Sequence, residues 1–145
     1  MAKMMDVLEK MVRGELPPPP IGRLIGMRLV AVRPGESEFE MEATEAHWNP
    51  MGTLHGGVLC DLADGALGIA FASTLEEGES FTTLELKINF LKVVRKTRLR
   101  AVGRLVRRGK TVGLTECDVF NTEGELVARA SSTCMVLRGE QARDR

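Results

Sequence analysis

Aromatic residues and histidines are scarce in this sequence. It contains no tyrosine, one tryptophan and five phenylalanines, so aromatics make up only 4% of 145 residues. Binding of single-stranded nucleic acid by base stacking needs several exposed rings, and this composition disfavours it. There are two histidines and three cysteines without paired spacing. Zinc sites are built from clustered Cys and His, so we expect no metal site.

Long apolar runs are also missing. No stretch reaches the roughly 18–20 residues that span a bilayer. The first ten residues carry acids within an apolar face and lack the core of a signal peptide. We therefore expect no membrane association and a cytoplasmic location. The cysteines are predicted to be buried free thiols in a reducing compartment, and they are Cys60, Cys117 and Cys134.

Charge is balanced over the whole chain but not along it. Twenty basic and 20 acidic residues give a formal net charge of zero. Residues 86–115, however, contain ten basic residues and no acidic one. On a neutral protein such a segment indicates a site for a small anionic ligand more than for nucleic acid. It is equally typical of a solvated strand face, and both interpretations stay open.

The N-terminal part of the chain is predicted to hold a helix, a connector and two strands. Helical spacing of apolar residues covers 3–13. Four consecutive prolines at 17–20 then predict a stiff extended connector. Residues 24–32 and 36–43 are predicted strands, because the second alternates polar and apolar residues with a period of two. Residues 45–54 are predicted to form a loop.

One long helix and four strands complete the prediction. Residues 56–73 are apolar on almost all sides, which is typical of a buried helix. The strands follow over 81–91, 97–107, 111–121 and 126–137. Strands that succeed one another without intervening helices form a largely antiparallel sheet. We therefore expect the helix to lie across the concave face of that sheet.

The start of the long helix carries the most informative residues. His55, Gly56 and Gly57 open it, and Asp64 follows within it. Glycines at a helix start leave backbone N–H groups that can bind an oxyanion, although a tight turn also requires glycine. A carboxylate in an apolar helix is expected to be buried, and it serves either hydrolysis or a structural hydrogen bond. Asp61 is closer to the helix start, where compensation of the helix dipole or solvent contact explains it.

The run Asn49-x-x-Gly52-x-x-His55-Gly56-Gly57, with Asp64 after it, resembles the PaaI-like acyl-CoA thioesterases of the hotdog superfamily. The resemblance continues through residues 82–91 and 108–111. It implies an α+β hotdog fold, in which a curved antiparallel sheet of five to six strands wraps one long central helix, with a short N-terminal helix. The hotdog domain is predicted over 22–138, after an N-terminal helix and connector at 1–21 and before a polar tail at 139–145.

The resemblance also implies a reaction and the residues that perform it. The reaction is hydrolysis of an acyl-CoA by water, with neither a metal nor a redox cofactor. Asp64 acts as nucleophile or general base, the Gly56 amide binds the oxyanion, and Thr83 orients the attacking water. The other implied site residues are His55 and Asn49 at the thioester and, for substrate binding, Gly57, Arg107, Arg108 and Lys110. For His55 a helix-capping or loop-packing role stays open, and without the resemblance Asn49, which precedes a proline, would simply be a turn residue.

Helix geometry adds an expectation about assembly. Gly56 and Asp64 are eight residues apart, which is about 12 Å along a helix. Both would need to lie about 3 Å from the same thioester, so one helix cannot supply both. We therefore expect a homodimer in which Gly56, His55 and Asn49 of one chain face Asp64 and Thr83 of the other. The resemblance implies that such dimers often pair into homotetramers.

Two other functions and the acyl group stay open. A non-catalytic acyl-CoA binding protein on the same fold would keep the glycines and basic residues without requiring Asp64. A hotdog dehydratase or hydratase uses a different arrangement of histidine and carboxylate. The family resemblance allows small aromatic or medium-chain acyl groups. The residues that either line the acyl pocket or belong to the core are Met51, Leu54, Leu59 and Leu62.

Overall fold

The computed structural model describes residues 3–145. Two helices come first, α1 (Met4–Val12) and α2 (Pro20–Ile25), followed by strands β1 (Met27–Arg33) and β2 (Glu36–Ala43). After a short 3-10 turn at Glu45–His47 comes the long helix α3 (Gly56–Ala72). The remaining elements are β3 (Ser80–Phe90), β4 (Thr97–Arg108), β5 (Val112–Phe120), β6 (Leu126–Leu137) and the short helix α4 (Glu140–Arg143).

The strands form one six-stranded sheet in the order β1-β2-β4-β5-β6-β3. All neighbouring strands are antiparallel. Strand β3 therefore lies at one edge, and its outer edge pairs with no other strand of residues 3–145. Several apolar side chains near that edge are exposed, including Leu84 at 54%, Phe90 at 55% and Leu91 at 55%. None of the helices in residues 3–145 is long and apolar enough to cross a bilayer.

Helix α3 packs across the sheet, as predicted, but only one of its sides is buried. The side that faces the sheet is inaccessible to solvent, with Leu62, Ala63, Ala66 and Ala70 at 0% exposure. The helix lies so close to β4 that a Cβ on Gly103 would be 2.3 Å from the Ala66 carbonyl oxygen. Only glycine fits there. The opposite side of α3 is more accessible to solvent, with Asp64 exposed, so the prediction that α3 is buried all round is wrong for that side.

The predicted strand over 24–32 is wrong in its first part, because Leu24 and Ile25 belong to α2. Pro20 is the first residue of this helix, where its missing N–H costs nothing. Gly26 ends the helix with a left-handed φ of 86°, and the strand begins at Met27. The extended proline connector thus ends at Pro19.

Three of the basic residues of β4 are paired with acids on the neighbouring strands. Arg98 contacts Glu42 at 3.1 Å and Arg100 contacts Glu38 at 3.2 Å, both on β2. On the other side, Arg104 is 3.2 Å from Asp118, a β5 carboxylate that also binds Arg129. The hydrogen bond from Arg129 lowers the pKa of Asp118 despite its burial. For these strand residues the structure favours the solvated-face interpretation over an anion site.

Candidate active site

The N-terminus of α3 is capped by the histidine that precedes it. The Nδ1 atom of His55 accepts a hydrogen bond of 2.9 Å from the Gly57 N–H. An accepting Nδ1 carries no proton, so in this arrangement the neutral ring is protonated at Nε2. The preceding amide, Gly56 N–H, is the first of the helix and makes no hydrogen bond within residues 3–145. His55 thus occupies one amide and leaves the Gly56 amide available to a ligand.

At both glycines of the helix start, a side chain would have to displace a neighbouring ring. A Cβ on Gly56 would lie 2.8 Å from Cζ of Phe90, and a Cβ on Gly57 would lie 2.8 Å from Nδ1 of His55. The ring of Phe90 therefore rests directly against the helix start. Phe90 is 55% exposed, so its ring has room to turn away when a ligand approaches the amide.

Asn49 organises the loop in front of α3. Its Oδ1 accepts from the N–H groups of Met51 at 2.9 Å and Thr53 at 3.2 Å, and its Nδ2 donates to Thr53 Oγ1 at 2.8 Å. These contacts are those of an Asn turn. The side-chain amide has two N–H groups, and the second forms no bond in the described part of the chain. The turn interpretation is thus correct, and one donor is left for a substrate.

Asp64 lies on the side of α3 that faces away from the sheet. The expectation that it is buried is wrong for the single chain, because the side chain is exposed. Its surroundings are nevertheless apolar, and this desolvation, with the charge of Asp61 as the second cause, raises the pKa of Asp64. The carboxylate is thus reached by water but poorly solvated, which makes it a stronger base than an ordinary aspartate.

Thr83 reaches the same region from the edge strand. A β-bulge at Leu84 shifts the register between Thr83 and Glu85 against β6, and such bulges re-aim side chains. The Thr83 hydroxyl lies 3.8 Å from the Cys134 Sγ. Burial is the main cause that raises the pKa of this thiol, so it remains protonated at neutral pH. Cys134 is one of three free cysteines. Burial was predicted for all three, and the prediction is wrong for Cys60, which is only half-buried.

Four of the predicted site residues line two separate pockets, whereas the other five line neither of them, namely His55, Gly57, Arg107, Arg108 and Lys110. The first, here called the Asp64 pocket, has a volume of about 290 Å³ and is lined by Asp64, Asp61 and Thr83 among others. The second, the Gly56 pocket, has a volume of about 400 Å³ and is lined by Asn49, Gly56 and Phe90 among others. No residue lines both pockets. One chain therefore does not bring Asp64 and the Gly56 amide to a common cavity.

The basic residues at the β4–β5 hairpin differ in their surroundings. Arg108 binds Glu79 at 2.9 Å and lies 5.2 Å from the centre of the Phe71 ring. Burial alone would raise the pKa of Glu79, but hydrogen bonds from the Glu76 amide and from Arg138 outweigh it and lower the pKa. The exposed side chains of Arg107 and Lys110 form no ion pair within residues 3–145.

The N-terminal segment contributes to the Asp64 pocket, which sequence reasoning missed. Met11, Pro18, Pro19 and Ile21 line it, whereas none of the four predicted acyl-pocket residues does. Of those four, Leu54 and Leu59 line the Gly56 pocket, Leu62 belongs to the core, and Met51 is 82% exposed. No periodicity or motif in the sequence links the proline connector to a cavity on α3.

Residues 3–145 contain no cluster of three His, Cys, Asp or Glu side chains suited to a metal ion. The expectation that catalysis needs neither metal nor redox cofactor stays a prediction. The role of each site residue likewise stays a prediction at this point.

Comparison with known proteins decides the family. The sequence-family model that describes the thioesterase superfamily matches residues 51–128, more than half of the chain. This chain belongs to the thioesterase superfamily. Human acyl-coenzyme A thioesterase 13 is 30% identical over 114 residues, which cover 77% of this chain and 81% of the human protein. The 1,4-dihydroxy-2-naphthoyl-CoA hydrolase of Listeria monocytogenes is 30% identical over 112 residues, 77% of this chain and 91% of that protein.

Solved structures of this superfamily share the architecture. The PaaI protein of E. coli superposes with a TM-score of 0.82 over 94% of this chain and 97% of PaaI. Its sequence identity is 20%, so this likeness concerns the fold alone. The predicted hotdog fold and the resemblance to PaaI-like thioesterases are confirmed.

Proposed function

We propose that the protein hydrolyses acyl-CoA thioesters, with Asp64 as general base and the Gly56 amide of a second subunit as the oxyanion donor. The observation that carries the proposal is the pairing of a poorly solvated Asp64 with Thr83 in one pocket of a thioesterase-superfamily chain. An unbonded amide at the start of the same helix supplies the complementary group.

The chemistry follows from these positions. Asp64 removes a proton from a water molecule held by the Thr83 hydroxyl, and the water oxygen attacks the thioester carbon. Negative charge develops on the carbonyl oxygen, where the Gly56 N–H and the positive end of α3 stabilise it. Collapse of this intermediate breaks the C–S bond and releases coenzyme A and the free acid. The raised pKa of Asp64 favours the role of base, and a nucleophilic carboxylate is the alternative.

Two chains are needed because the two pockets are separate. The unpaired edge of β3 offers the contact, since antiparallel pairing with a second β3 continues the sheet across a two-fold axis. The exposed apolar residues Leu84, Phe90 and Leu91 near that edge would be covered. Such a pairing would also set the Gly56 pocket of one chain beside the Asp64 pocket of the other. A further pairing into a homotetramer is expected from the resemblance.

Coenzyme A is expected to meet the β4–β5 hairpin. Its phosphates attract basic side chains, and Arg107 and Lys110 are exposed there without an ion pair in the described chain. Arg108 is held by Glu79 and the Phe71 ring. We therefore propose Arg107 and Lys110 as phosphate contacts, and a structural role for Arg108 in place of the direct contact implied by the resemblance.

A panel of acyl-CoAs, including aromatic and medium-chain acyl groups, tests the activity through release of free thiol. We expect Asp64→Asn to lose about 10²–10⁴ in kcat, the contribution typical of a general base. Asp61→Asn, on the same face of the same helix, is the matched control and should retain most activity. Binding of coenzyme A by the wild type without turnover of any thioester would favour the non-catalytic alternative.

A heterodimer of two defective chains tests the shared site. Chains carrying Asp64→Asn and Gly56→Pro, with different affinity tags, are co-expressed and purified by both tags. In a site shared between subunits, one of the two sites is intact and about half of the wild-type activity returns. In a site within one chain, both subunits are defective and activity stays at the level of the single variants. The second result would contradict the proposed assembly.

A further inference from the structure

Most of the residues that line the Asp64 pocket are apolar and have no role in the chemistry described above. Its inner wall contains Phe39, Phe81 and Met27. Its outer wall comes from the N-terminal segment at residues 11–22, here called the strap, through Met11, Pro18, Pro19, Ile21 and Gly22. The pocket therefore combines Asp64 and Thr83 with a mostly apolar lining.

The residues on either side of the strap are held by the rest of the fold. On one side, Leu8 of α1 is 2% exposed and belongs to the main hydrophobic core. On the other side, the His47 Nε2 lies 2.8 Å from the Ile25 carbonyl oxygen and donates to it. Between these points the prolines restrict the backbone. A Cβ on Gly22 would already lie 3.3 Å from the Met27 carbonyl oxygen, so the strap packs closely against the start of β1 at Gly22. Residues 13–21 of the strap are exposed.

Two glycines of α3 leave room opposite the strap. A Cβ on Gly65 would lie 3.6 Å from the Phe39 ring, and a Cβ on Gly68 would lie 3.6 Å from the Phe81 ring. Both are ordinary contact distances, so alanine fits at either position but takes up space inside the pocket. Glycine in a helix interior is unfavourable by about 1 kcal/mol relative to alanine. At these positions it gives the pocket its depth.

The volume of the pocket indicates the kind of group it holds. A buried apolar cavity of about 150 Å³ binds benzene, and the Asp64 pocket, at about 290 Å³, is larger. We infer that the strap, Gly65 and Gly68 enclose the acyl chamber and set the length of the acyl group. The occupant is an apolar acyl group of medium chain length or with one aromatic ring. This inference rests on the proposed thioesterase function and names specificity residues outside its catalytic groups.

The preference for acyl length tests the inference. Wild type and variants are assayed with straight-chain acyl-CoAs from butanoyl to hexadecanoyl and with phenylacetyl-CoA. Ile21→Ala opens the outer wall and should move the optimum to longer chains. Gly68→Ala should move it to shorter chains, with about a fourfold loss in kcat/KM for each methylene that no longer fits. The matched control is Leu24→Ala, on the same helix as Ile21 but 78% exposed and outside the pocket.

A binding measurement separates this inference from the proposed function. Non-hydrolysable thioether analogues of acyl-CoA are titrated into Asp64→Asn and into the same chain carrying Ile21→Ala or Gly68→Ala. Opposite shifts in length preference for the two added substitutions support the chamber even if no thioester is hydrolysed. Unchanged preference in both, or an equal shift in the Leu24→Ala control, would overturn it. Loss of turnover in the wild type with the binding shifts intact would reject only the proposed reaction.

Discussion

Replacement of Gly56 by proline would remove one N–H group and leave helix α3 intact. Gly56 is the first residue of the helix, a position at which proline is favoured because that amide has no partner in the helix. His55 already has φ −62° and ψ 132°, which is the extended conformation required before proline. The substitution therefore deletes the proposed oxyanion donor with little demand on the backbone.

The control for this experiment is Gly56→Ala. Any Cβ at this position would lie 2.8 Å from the Phe90 ring, so both variants must displace that ring. Alanine keeps the N–H and proline does not. Loss of one oxyanion donor costs about 10²–10³ in kcat, or about 2.7–4 kcal/mol of transition-state stabilisation. We expect the proline variant to be slower than the alanine variant by that factor, whatever both lose relative to wild type.

The assay is release of coenzyme A thiol at saturating acyl-CoA, with kcat and KM determined separately. Urea unfolding of both variants checks that their stabilities match, so that a difference in kcat is not a difference in folding. If the proline variant turns over as fast as the alanine variant, the Gly56 amide is not the donor. If its kcat is unchanged and only KM rises, the amide binds the ground state and the transition-state argument fails.

Three further results are expected. Because the folded protein raises the pKa of Asp64, Asp64→Asn should be more stable than wild type in urea at neutral pH, by less than about 1 kcal/mol for an exposed group. That advantage should shrink as the pH falls through the raised pKa and vanish below the unfolded value of about 3.9. In a single turnover in H₂¹⁸O, a general base places ¹⁸O in the released acid and none in the protein. Label in the Asp64 carboxylate would show instead that Asp64 forms an acyl anhydride, which water then opens at the Asp64 carboxyl carbon. Arg108→Ala should lower the free energy of unfolding by about 1–3 kcal/mol because buried Glu79 loses a partner, whereas Lys110→Ala should change KM and leave stability within about 0.5 kcal/mol.

The elements with clear periodicity were predictable from the sequence. Strand β2 and helix α3 begin where alternation and the glycine pair indicate, because local pattern and tertiary packing agree there. Helix α2 was missed although Pro20 and Gly26 mark its two ends, since six residues are too few to show a helical period. The exposure of Asp64 was missed because residue type indicates burial, whereas the direction of a side chain depends on which side of α3 meets the sheet.

The site was only partly predictable for a related reason. Sequence spacing correctly separated the Gly56 amide from Asp64, because helix rise is local geometry. It could not reveal that Glu38 and Glu42 neutralise Arg100 and Arg98 of β4, because that depends on strand order. The role of the strap was equally hidden, since the contact between Ile21 and a pocket beside Gly68 joins segments far apart in the chain.

The free edge of β3 also bears on how the protein is made in a cell. An edge of eleven residues with exposed apolar side chains is a template for any extended chain that meets it. A newly synthesised chain is prone to aggregation through this edge until the edge is covered. The strand most available to cover it is β3 of a second copy of the same chain, synthesised nearby. If the proposed dimer forms, it would protect this edge against aggregation in addition to completing the proposed active site. Substitutions that block pairing should reduce soluble yield first, and more so at high expression.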